Sequence, residues 1–135
     1  NLAGNRGIWG FGDPTLAFGS GRMMYPIFAS GSSGKLNFSV FNNGVSQVNV
    51  TPNVTPTANV PIRSVFAYKS ASYAASVSAI SPSTSTGAVP AITSLSLGSL
   101  VSAWSGATNY LNGCISKFTY YPQRITNAEV QAFSK

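Results

Sequence analysis

Lys35-Leu36-Asn37-Phe38-Ser39-Val40-Phe41-Asn42-Asn43-Gly44-Val45-Ser46-Gln47-Val48-Asn49-Val50 is the stretch that decides the fold of this 135-residue chain. Leu36, Phe38 and Val40 alternate with Asn37 and Ser39, the period of two that gathers apolar side chains on one face of a strand. Asn43-Gly44 supplies two adjacent residues that tolerate positive φ, which a two-residue hairpin turn requires. Beyond the turn, Ser46, Val48 and Val50 fall on one face. Residues 35–41 and 45–50 are therefore predicted to pair as an antiparallel hairpin.

Working outward, residues 7–11 and 23–28 read as two further strands, punctuated by Gly12-Asp13-Pro14 and Gly19-Ser20-Gly21. Downstream, Pro52, Pro56 and Pro61 keep residues 51–61 out of any central strand, because proline cannot donate to a ladder. Strands are predicted at 62–69 and 73–77 around a tight return, at 94–100, and at 113–121. Residues 81–87 read as a Ser/Thr loop and 102–112 as a polar loop. Near the end, Thr126-Asn127-Ala128-Glu129 is a capping box: the Thr126 hydroxyl accepts from the Glu129 amide while the Glu129 carboxylate reaches back. Ile125 and Val130 flank it as a hydrophobic staple. Eight or so short strands with one small helix predict an all-β antiparallel sandwich of jelly-roll or lectin type, in one domain spanning 1–135.

Composition limits the chemistry. Charged residues make up 7% of the chain, with eight basic and two acidic side chains and no histidine, against ~25% charged in ordinary soluble domains. Asp13 and Glu129 are the only acids. Glycoside hydrolysis normally takes two carboxylates flanking the bond. A Ser-His-Asp triad needs the missing histidine. Cys114 stands alone, which disfavours a zinc site, and a calcium cage wants several carboxylates. An enzyme is not expected, nor a metal or cofactor. The net charge of +6 is carried by cations spread singly along the chain, without the clustering of a phosphate-tracking surface, so nucleic acid is not the expected partner. No segment approaches the ~20 apolar residues of a membrane helix. The opening residues show no signal peptide, and a start at Asn1 is read as a processed chain or a piece of a longer one.

Residues 110–133, Tyr110-Leu-Asn-Gly-Cys-Ile-Ser-Lys-Phe-Thr-Tyr-Tyr-Pro-Gln-Arg-Ile-Thr-Asn-Ala-Glu-Val-Gln-Ala-Phe133, resemble the closing segment of concanavalin A-like (laminin-G-like) sandwich domains in bacteriophage tail and virion proteins. Those domains close with a Leu-Asn-Gly turn, a strand ending in two aromatics and proline, a basic residue, and a capped helix. Here Asn112-Gly113, Tyr120-Tyr121-Pro122, Arg124 and residues 126–131 fill these places. Val65-Phe66-Ala67-Tyr68-Lys69 and Tyr73-Ala74-Ala75-Ser76-Val77 resemble a strand pair of the same family. The resemblance covers about residues 35–133 and implies a non-enzymatic module of a phage particle, in tail or capsid. Its implied partners are host-surface polysaccharide and other virion proteins, and a fibre setting implies a homotrimer. A structural role in capsid decoration or fibre assembly is the alternative. Such domains often carry further strands before the position of Trp9, so other residues or a neighbouring chain are expected to complete the sheet. The acidic calcium ligands of some laminin-G domains are absent, and the family fixes no binding residue.

Sugar recognition combines an aromatic platform with amides and hydroxyls. Trp104, Asn109 and Tyr110 are the first candidates, with Trp9 and Tyr68 second. Each has a plainer alternative: Trp104 as a cap on the core, Trp9 as strand core. Cys114 is expected to be a small buried residue. Tyr120 is expected to pack with Phe118, leaving at most one of Tyr120 and Tyr121 facing solvent.

Overall fold

The computed structural model describes residues 6–13, 21–28, 34–57, 59–98, 111 and 113–135. Among these described residues, nine short strands and one helix follow in order: β1 (Arg6–Gly7), β2 (Trp9–Gly12), β3 (Met23–Phe28), β4 (Leu36–Asn42), β5 (Val45–Val50), β6 (Ser64–Lys69), β7 (Ser72–Val77), β8 (Ser83–Ser85), β9 (Ser94–Leu97) and α1 (Asn127–Phe133). They form two antiparallel sheets. One has the order β5-β4-β3-β2-β9, with β1 also on β3; the other is β6-β7-β8. Phe38, Val40 and Val48 from the first sheet and Tyr73, Ala75 and Val77 from the second share one apolar core, so the fold is an all-β sandwich with one short helix.

The hairpin forms where the sequence puts it. Asn43 and Gly44 have φ of 50° and 75°, the pair of positive values that matches the twist of the flanking strands. The turn is tied down by Arg22 Nε donating to Asn43 Oδ1 at 3.0 Å. Leu36, Phe38 and Val40 are fully buried between the sheets. On the opposite face Asn37 and Ser39 are also buried, and there Asn37 donates to Asn49 Oδ1 and to Thr51 Oγ1. The polar half of the alternation thus becomes a cross-strand amide ladder.

Several expectations need correction. Residues 7–11 are not one strand: β1 and β2 part at Ile8, and the register slips between Gly7↔Ile27 and Phe11↔Met24. Opposite the break stands Pro26, which accepts from the Ile8 amide but has no N–H to return. Strand β6 begins at Ser64, two residues later than read, after Val60-Pro61-Ile62. The Ser/Thr loop at 81–87 contains β8. Strand β9 ends at Leu97. Most consequential, residues 114–121 make no strand.

The helix is as read. Thr126 accepts from the Glu129 amide, and the Glu129 carboxylate accepts from the Thr126 amide at 2.7 Å. Those hydrogen bonds hold the Glu129 pKa below the usual carboxylate range. Val130 is buried against Ala67 and Ala74, with Ile125 and Val65 beside it. Since Phe66 and Tyr68 face the core, alternation puts Val65 and Ala67 on the outer face of the three-stranded sheet, and α1 covers that face. Its C-terminus is pinned by Ser134, whose hydroxyl meets Ser76 Oγ at 2.7 Å and accepts from the Ala79 amide.

Candidate functional site

The two sides of the sandwich are built differently. On the β5/β8 side the sheets come together. The Ala88 amide donates to Gln47 Oε1, and Tyr73 Oη donates to the Ala88 carbonyl at 2.8 Å. Gly87 approaches so closely that an added Cβ would stand 2.8 Å from the Gln47 carbonyl oxygen. On the β2/β6 side they stay apart. There a cleft of about 860 Å³ opens, lined by every residue from 60 to 68 and from 113 to 125, with Trp9 and Phe11 among those at its floor.

Aromatic rings build the floor. Trp9 and Phe11, two apart on β2, share one face of the strand and meet edge to face at 5.7 Å. Trp9 also contacts Phe66 at 6.2 Å and Phe118 at 6.0 Å. Phe66 stacks on Phe38, Tyr68 and Tyr73. Tyr120 meets Phe11 at 6.0 Å, and its phenol neighbours that of Tyr68. Burial first, then the neighbouring phenols of Tyr120 and Tyr73, push the Tyr68 hydroxyl up to about 12. Tyr68 is therefore neutral at physiological pH, a hydrogen-bonding group and not an acid or base.

The lining is basic at its edges. Arg63, Lys117 and Arg124 all border the cleft, and no carboxylate does among its described lining residues. Arg63 Nη1 donates to the Lys135 carbonyl oxygen. Arg124 is held at the corner before α1: Nη1 donates to the Ile125 carbonyl oxygen and Nη2 to Asn127 Oδ1 at 2.6 Å. A second groove of about 730 Å³ also takes Arg124 into its lining, with Lys69, Ser72, Thr84, Thr86 and Thr126.

Trp9 and Tyr68, read as separate candidates, meet in this one cleft. Their faces are occupied by other rings, so they build the floor and do not stand free as a sugar platform. Trp104, Asn109 and Tyr110 lie outside the described residues. Cys114 is exposed, not buried, because the segment carrying it joins no sheet. Tyr120 and Tyr121 are both open to solvent, at 57% and 48%. Tyr120 turns to Phe11 and Tyr121 stacks on Phe133 at 5.6 Å, while Phe118 meets Trp9. Sequence reading missed Phe118, Arg63 and Lys117 as cleft residues. The alternation of Phe118 and Tyr120 was visible, but nothing in it tells a paired strand from an unpaired one.

Among the described residues no three His, Cys, Asp or Glu side chains gather as a metal site, and no helix is long and apolar enough to cross a membrane. No family model matches the chain, and no curated protein matches it. Among solved structures, residues 221–444 of an S-layer domain-containing protein from Clostridium thermocellum align with 98% of this chain and 64% of that one, at 16% identity and a TM-score of 0.48. The chain thus spans under two-thirds of that structure, and likeness at this level carries no functional argument.

Proposed function

We infer that the protein is a non-enzymatic structural module of a bacteriophage particle, a concanavalin A-like sandwich that attaches to a neighbouring virion protein through its β2/β6 side. The fold assignment within the sandwiches rests on the resemblance of residues 110–133. The attachment reading rests on one observation, the cleft along the edge of β6. A strand edge with unsatisfied N–H and C=O groups is a template for pairing with another chain, and such edges are usually kept short, charged or covered. Here a six-residue edge faces an aromatic-floored cleft. Inventory supports a static role: Glu129 is consumed by the helix cap, and no histidine is present. Locating the chain in intact particles by cryo-electron microscopy tests the reading. Density from a second protein against β6 is expected; a cleft open to solvent with another face buried contradicts it.

A host-glycan reading keeps a specific observation of its own, the hydroxyl-lined groove beside Lys69 and Arg124, which suits a carboxylated sugar. Trp104, Asn109 and Tyr110 remain its aromatic and amide candidates. A glycan array with Trp104→Ala and Lys69→Ala variants separates the two. Retained binding by both variants, or none by the parent chain, removes this reading.

A further inference from the structure

We propose that the cleft accepts an extended, acidic segment of a different protein, added as a strand along the open edge of β6. The proposal rests on the attachment reading and names the chemistry of its partner. Three observations lead to it. First, the cleft is bordered by residues from both faces of β6: Phe66 and Tyr68 from the core side, Val65 and Ala67 from the helix side. Both faces of a strand line one cleft when that cleft wraps around its edge. β6 pairs with β7 alone among the described strands, so half of its backbone groups point into this space.

Second, the volume is of the order one strand needs. A strand fills a lane ~4.8 Å wide and ~10 Å deep at ~3.3 Å per residue, so five or six residues occupy roughly 900 Å³. The cleft measures about 860 Å³, and β6 is six residues long. The run 113–125 also lines the cleft but joins no ladder.

Third, the charge is one-sided. Arg63, Lys117 and Arg124 border the lane without a carboxylate among its described lining residues. Lys117 has no ion-pair or hydrogen-bond partner among the described residues. A guest strand would place alternate side chains on the aromatic floor of Trp9, Phe11 and Phe118 and the others toward these cations. Apolar residues alternating with Asp or Glu satisfy both demands. A second copy of this chain cannot supply that pattern, since its only acids are Asp13 and Glu129 and the second is held in a helix cap. The guest is therefore another protein.

The test is titration of the whole chain with a seven-residue peptide alternating valine or phenylalanine with glutamate. A second peptide carries lysine in place of glutamate. Binding is read by calorimetry and by amide exchange. The expected result is at least about tenfold slower exchange at alternate β6 amides with the glutamate peptide, and none with the lysine peptide. Lys117→Glu, an exposed change, is expected to weaken the glutamate peptide about fivefold and to shift preference toward lysine. Unchanged β7 protection shows that the variant is folded. Raising salt is expected to weaken binding, as for exposed charges. Equal protection by both peptides overturns the acidic partner while leaving the open edge in place. Protection by neither overturns the acidic strand and the attachment reading together.

Discussion

The β5/β8 and β2/β6 sides of the sandwich answer one problem with opposite residues. Both must close the rim of the same core. On the first, side-chain volume falls away: Gly87 lets the loop after β8 come against the Gln47 backbone, and two hydrogen bonds through Ala88 seal the seam. On the second, Trp9, Phe66 and Phe118 stand where a seam would form, and their rings keep β6 and residues 113–121 apart. Large rings bury apolar area without backbone pairing, so this rim is stabilised by packing while its backbone edge stays open. A closed rim gives rigidity, and an open one offers a place to bind.

Breaking the closed rim is expected to have the largest effect. Gly87→Val drives a branched side chain into the Gln47 carbonyl and Val48, and backbone there has little room to yield. The expected loss is about 2–3 kcal/mol by urea unfolding, as for overpacked cores. The open rim tolerates more. Phe118→Ala removes a half-buried ring with an edge contact to Trp9, for an expected loss of about 1–1.5 kcal/mol. If the two substitutions cost the same, the rims are not different in kind.

The helix beside the open rim sharpens the contrast through pH. Thr126→Ala deletes the cap hydroxyl, and about 1 kcal/mol is expected to be lost. Glu129 titrates lower in the folded chain than unfolded, so its contribution is present above the ordinary carboxylate pKa and lost as pH falls through the depressed folded value. In Thr126→Ala the acid limb of the stability profile is expected to flatten in part, since the residue 126 amide still donates to Glu129. The smallest effect belongs to Tyr120→Phe, expected within about 0.5 kcal/mol. It removes the phenol that neighbours Tyr68 and helps raise its pKa, so the Tyr68 phenol is expected to titrate below about 12, read by ultraviolet absorbance. A raised tyrosine stabilises the fold below the ordinary phenol pKa and loses that contribution as pH climbs toward 12. Removing the Tyr120 hydroxyl narrows that window.

Elements set by neighbours in sequence were legible on both rims, and those made by distant partners were not. Asn43-Gly44, the Leu36-Phe38-Val40 alternation and the Thr126/Glu129 box are local signals, each decided by neighbours a few residues away. They gave β4, β5 and α1 within a residue or two. Ser83-Thr84-Ser85 carries no apolar side chain, and only pairing with Tyr73-Ala74-Ala75 makes it a strand. The break at Ile8 depends on Pro26 across the sheet. The misreading of 113–121 has the same root: Phe118 and Tyr120 have the period of a strand, but a strand exists only where a partner edge lies within hydrogen-bonding reach. Trp9 and Tyr68 could be read as aromatic candidates, yet their meeting over one cleft is a product of sheet order.

The account turns on residues 114–121 running beside β6 without joining it. Amide hydrogen exchange on the free chain measures this directly. The expected result is exchange of the 114–121 amides within about tenfold of the unprotected rate, with β7 amides at Ser72–Val77 slower by about a thousandfold or more. Protection of 114–121 matching that of β7 would mean that the final segment already fills the edge, and the open rim would not exist.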